Sequence, residues 1–220
     1  MKIIKVKEGV SKIEGDWRNL FEVLDYVKYR PVLFLGDKKI TTLWHFIGGY
    51  QFSFSLNKIK EKSFPDFAWF STWIKGRIKT EYGLAAGWKH HLLSTYDNDE
   101  ELAFNKFFQH LEEFKNSSPK AEIQEIKESQ KIKNLGAGTY WKSVYRKTVK
   151  IIVFTLPPSK CSWCLYIDKR DNLLAETFAD SKKELIRGLK EVFNLNNKWE
   201  KLGGDKNNIF IRKILKKPFK

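Results

Sequence analysis

The sequence is short of the residues that build covalent or metal-bound frameworks. It has two cysteines, Cys161 and Cys164, and four histidines. A zinc site takes four ligands, commonly two Cys pairs or one pair with two histidines. Here the only pair, Cys161-Ser162-Trp163-Cys164, lies in the second half, while His45, His90, His91 and His110 lie in the first. The pair also enters a strand pattern, whereas a thioredoxin-type site sets its first cysteine at a helix start. Structural cysteines are expected, with no metal. His90 and His91 are adjacent and would point about 100° apart on a helix, so they do not share an ion. Long apolar runs are missing too: none approaches the roughly 18 residues of a membrane span. Met1 to Val6 alternates apolar and basic residues like a short strand, and is too short for a signal peptide. These absences point to a cytoplasmic, reduced protein with no membrane partner.

Catalytic signatures are equally scarce. Gly48-Gly49, Gly136-Ala137-Gly138 and Gly203-Gly204 are the glycine-rich pieces. None is a GxGxxG or a P-loop between a strand and a helix, as a phosphate cradle requires. The carboxylates at Asp97, Asp99, Glu100 and Glu101 suit the positive end of a helix, which needs no chemistry. No Ser-His-Asp or Cys-His constellation can be drawn. The expectation is a non-enzyme without cofactor.

Acidic residues are outnumbered, 26 to 41 Lys and Arg, for a net charge of +15. The imbalance sits in the second half. Residues 1–116 hold 18 basic and 15 acidic side chains, a net of +3; residues 117–220 hold 23 and 11, a net of +12. A basic half suits an anionic partner, although lysine is also the ordinary solubilising residue.

Aromatic residues are plentiful: 17 Phe, 8 Trp and 8 Tyr, enough for cores of large flat side chains. Their spacing divides the chain. Trp17, Leu20, Phe21, Leu24 and Val27 fall on one helical face, with Asp16 offering a cap. That helix should stop near Tyr29, because Pro31 pushes the residue before it out of the α region. After Gly36-Asp37, Ile40, Leu43, Trp44, Ile47, Tyr50 and Phe54 repeat at helical spacing. Gly48-Gly49 interrupts them at a cost of about 2 kcal/mol against alanines, which predicts close approach of a neighbour or a kink. Ser63-Phe64-Pro65-Asp66 starts another helix through Phe67, Phe70, Trp73, Ile74 and Ile78. A short helix follows Gly83-Leu84-Ala85-Ala86-Gly87-Trp88. Phe104, Phe107, Phe108, Leu111 and Phe114 line the last. Residues 1–116 thus read as a mainly helical domain.

Residues 117–136 read as a linker or exposed helix. Residues 137–220 read as an α+β domain with a basic tail. Its expected strands are Thr139–Tyr145, Val149–Leu156, Ser162–Asp168, Leu173–Phe178 and, last, Ile209–Leu215, with one helix capped by Ser181 and Glu184. The fold class is α+β: a helical bundle, then a small antiparallel sheet with one packed helix. In the first expected strand, Tyr140, Trp141 and Tyr145 interleave with Lys142, Arg146 and Lys147. Stacking aromatics on a basic sheet is how single-stranded nucleic acid is held. With Arg212 and Lys213 of the tail, these six are the candidate nucleic-acid contacts.

One further pattern runs through residues 28–115. Arg30-Pro31, Leu35-Gly36-Asp37, Ile40, Leu43, Phe46-Ile47, Gly49-Tyr50, Phe67, Trp73, Ala86-Gly87-Trp88 and Phe107-Phe108 through Glu112-Glu113-Phe114 follow one another. The series resembles uncharacterised bacterial immunity-type proteins encoded near polymorphic or contact-dependent toxins. There the block often reads RPxMYLG, GY, GW and an FFxLLxEF-type helix. Val32, Leu33 and Phe34 replace the more usual residues after Pro31. The resemblance implies a non-catalytic protein that binds and blocks a cognate toxin. Immunity proteins against nucleases tend to be acidic, so this basic chain implies an acidic toxin face or a target other than a nuclease.

Overall fold

The structure, a computed structural model, describes residues 16–131, 137–195, 198–202 and 211. Its described residues form two compact units. Residues 16–70 and 80–115 make the first; residues 71–79 and those from 116 onward make the second.

The first unit is helical. Helix α1, Leu20–Tyr29, buries Leu20, Phe21, Val23, Leu24 and Val27. Its cap is Asn19, whose side chain accepts from the Phe21 amide, and not Asp16 as the sequence suggested. Asp16 instead accepts from the Arg18 amide and guanidinium. The chain leaves the helix at Arg30, and Pro31 occupies the first position of a short helix α2, Pro31–Leu35, where its missing N–H costs nothing. Gly36 ends α2 at φ +82, a left-handed conformation that favours glycine. Helix α3, Ile40–Leu56, follows.

Asp66 caps a single 3-10 turn at Phe67–Trp69 that leads into α4, Phe70–Arg77, whose residues after Phe70 belong to the second unit. Helix α5 is Gly87–Thr95 and α6 is Glu100–Lys115. The core of this unit is aromatic, as the composition predicted. Phe67 stacks on Phe70 at 5.4 Å, and the Phe107 ring meets Phe70 at 5.3 Å and Trp88 at 4.8 Å.

The second unit is a five-stranded antiparallel sheet in the order β4-β3-β2-β1-β5. The strands are β1 Lys120–Glu125, β2 Lys150–Thr155, β3 Ser162–Ile167, β4 Leu173–Ala179 and β5 Glu200–Leu202. Two segments differ from the sequence reading. Lys120–Glu125, read within a linker or exposed helix, is a strand paired on both sides, with β2 and with β5. Thr139–Tyr145, read as a strand, lies in helix α7, Thr139–Lys147. Its apolar residues recur at Trp141, Val144 and Tyr145, a helical rather than an alternating spacing.

The sheet therefore carries two helices, α7 and α8 (Lys182–Val192), in place of the one expected. Val144 of α7 and Leu185 and Leu189 of α8 share a core with Ile151, Val153, Cys164, Tyr166 and Ala175 of the strands. Ser181 caps α8 as expected, accepting from the Glu184 amide at 3.2 Å. The expected strands at Lys2–Val6 and Ile209–Leu215 lie outside the described residues, except for Ile211, which is buried.

Candidate interaction site

Helix α3 shows the least usual surface. Its 17 residues include no charged side chain, and only Ile40, Leu43 and Ile47 are buried. Those three share one side of the helix. Trp44, Gly48, Phe52 and Leu56 follow at four-residue steps, in a line that begins beside Ile40 and turns away from the buried stripe, and all four face solvent. Phe52 is 65% exposed and Leu56 66%. On α2 the same unit leaves Leu33 70% exposed, with Val32 also open, and Tyr29 at the end of α1 is exposed as well. Isolated exposed leucines are ordinary, but a run of large apolar residues along one uncharged helix face is the pattern of an interaction surface.

The glycines add to it. No atom lies within 4 Å of where a Cβ would stand at Gly48 or Gly49. Nothing among the described residues approaches them. Charges stand at the margins: Lys89 Nζ lies 4.7 Å from the centre of the Trp44 ring, and Lys58 and Lys60 follow the helix, both exposed.

The residues singled out for nucleic-acid contact are divided by the helical form of α7. Trp141 and Tyr145 turn toward the sheet: Tyr145 meets Tyr166 at 5.7 Å and Phe193 at 5.7 Å, and Trp141 meets Tyr166 at 5.9 Å. Lys142, Arg146 and Lys147 face solvent, and of the three aromatics only Tyr140 does so with them. Arg212 and Lys213 lie outside the described residues. What the sequence reading missed is a second basic group. Lys120, Lys182 and Lys201 surround a cleft of about 500 Å³ at one end of the sheet. They are 62 and 19 residues apart in sequence, and β1 was not foreseen, so no local signal joined them.

Comparison with known proteins adds no name. No family model matches the chain, and no curated protein or solved structure matches it. The surfaces are read from their own chemistry.

The cysteines are free and buried. Three residues apart on an extended segment, their side chains point to opposite faces. Cys164 belongs to the core beneath α7 and α8. Burial pushes the Cys161 thiol up to about 11 and the Cys164 thiol higher still, the reverse of what a nucleophile requires. His91 is buried, with Nδ1 3.4 Å from Thr80 Oγ1, and His110 Nε2 lies 3.0 Å from the Tyr96 hydroxyl. Among the described residues no three His, Cys, Asp or Glu side chains gather to hold a metal ion. Also among them, no helix is long and apolar enough to cross a membrane.

Proposed function

We propose that this protein is a non-catalytic interaction protein of the bacterial cytoplasm, of the immunity type, which binds and blocks a cognate toxin. The uncharged, solvent-facing side of α3 carries the reading. Phe52 and Leu56 are two-thirds exposed on a helix that buries only Ile40, Leu43 and Ile47, all in its first half. Leaving such residues in water costs about 1.5–3 kcal/mol apiece relative to burial, which a partner recovers on docking. The resemblance over residues 28–115, which includes α2 and α3, supplies the kind of partner. The motif residues themselves serve both roles: Ile47, Trp73 and Phe107 are core, while Arg30, Gly36 and Gly49 face outward.

Co-expression with the toxin-like product of the adjacent gene tests it. Growth rescue together with co-purification is the expected result. A toxin that is neither bound nor neutralised would end the reading.

A second reading, nucleic-acid binding by the basic second half, is favoured by one observation: Lys142, Arg146 and Lys147 lie together on the outward side of α7. It predicts binding to single strands that weakens steeply with salt as counterions are released. With Trp141 and Tyr145 half-buried against the core, stacking would fall mainly to Tyr140. Absence of binding at low salt would remove this reading.

A further inference from the structure

The sheet of the second unit brings three lysines together at one end. In antiparallel pairs, residues directly opposite one another share a face. Lys120 stands opposite Thr155. Glu122 stands opposite Val153 on one side and opposite Lys201 on the other. All five therefore occupy one face, and Val153 identifies it as the face that carries α7 and α8. Lys182, the first residue of α8, completes the group, with Nζ 2.7 Å from Glu122 Oε1. Together these six side chains surround the cleft of about 500 Å³. Three ammonium groups against one carboxylate leave its lining at +2.

We propose that this cleft binds a small phosphate monoester. The chemistry of its walls selects that class. A dianion gains about twice the Coulomb attraction of a monoanion from the same ammonium groups. Lysine ammonium groups act as point charges, a usual way of holding phosphate. Glu122 holds Lys182 over the opening while leaving two of its three N–H donors for a ligand. Thr155 adds a hydroxyl on the same face. Val153, on the same face, adds an apolar side chain to the lining. The volume lies within the range of small-molecule clefts. The proposal goes beyond toxin binding and does not depend on it.

Titration of the full chain with phenyl phosphate at low salt, followed by calorimetry and by phosphorus line broadening, is the test. Saturable binding below about 1 mM is expected, tighter than inorganic phosphate and much tighter than benzoate. Lys120→Met and Lys201→Met should each weaken it by about fivefold or more, since each removes one ammonium group and keeps its aliphatic stem. Lys190→Met, on the exposed side of α8, should leave it unchanged, and all three variants should melt with the wild type. No saturable binding up to about 10 mM overturns the proposal. So does equal weakening by Lys190→Met, which would mark diffuse surface charge. A single-stranded oligonucleotide whose binding survives both cleft substitutions would return the basic half to the nucleic-acid reading. Failure here leaves toxin neutralisation intact, so the two proposals fall separately.

Discussion

At Gly76 the chain has no room for a side chain. A Cβ there would stand 2.7 Å from the Cys161 amide nitrogen and 2.8 Å from its Sγ, and would also meet Ser159 Oγ. The Gly76 carbonyl meanwhile accepts from the Lys160 amide at 3.2 Å. Two of these neighbours belong to the backbone or to a fully buried residue and cannot swing away. Gly76→Ala should lower the unfolding free energy by about 1–3 kcal/mol, the usual cost of overpacking, read from urea titration. An unchanged midpoint would mean that α4 and the Ser159–Cys161 turn do not meet as described. The same neighbourhood predicts thiol behaviour. With its folded pKa raised to about 11 by burial, Cys161 is almost wholly protonated near pH 8, and Cys164 more so. Iodoacetamide should leave the native protein unmodified there and label both cysteines once it is unfolded. Rapid labelling of the native chain would contradict the buried placement of the pair.

At the scale of elements, α3 makes the sharper prediction. Gly48 and Gly49 have open space where their Cβ atoms would be, so Gly48→Ala and Gly49→Ala should each stabilise the protein by about 0.5–1 kcal/mol through helix propensity. Thermal melts measure it. Destabilisation would show that something in the chain does approach that face. The sequence announced these glycines and offered two reasons for them, a close neighbour or a kink; no neighbour fills the space at either Cβ position among the described residues. Helices α1, α3 and α6 were legible because their apolar residues keep the 3.6-residue period over two turns or more. Helix α7 was not. Its nine residues are rich in aromatic and β-branched types, which favour strands, and its period emerges only when Trp141, Val144 and Tyr145 are weighed by spacing rather than by type. Strand β1 hid for the opposite reason. Four of its six residues are polar or charged, and it is held in place by strands on both sides, a non-local cause that no window of six residues contains.

At the scale of the molecule, the α+β class was legible from the change of period near residue 116, from three or four residues to two. The grouping of residues 71–79 with the second unit was not, because nothing local separates them from the helical run they sit in. Surfaces follow the same rule. The apolar face of α3 is written in one continuous uncharged stretch, while the lysine cleft needs β1, β5 and α8 to be brought together first. The central claim concerns the first of these surfaces. Co-expression of the chain with the adjacent toxin-like gene product, wild type against the Phe52→Asp, Leu56→Asp double variant, tests it most directly. The account predicts that both proteins melt at the same temperature, since neither residue is packed, and that only the wild type co-purifies with the toxin and restores growth. A double variant that binds and rescues as well as the wild type would contradict it.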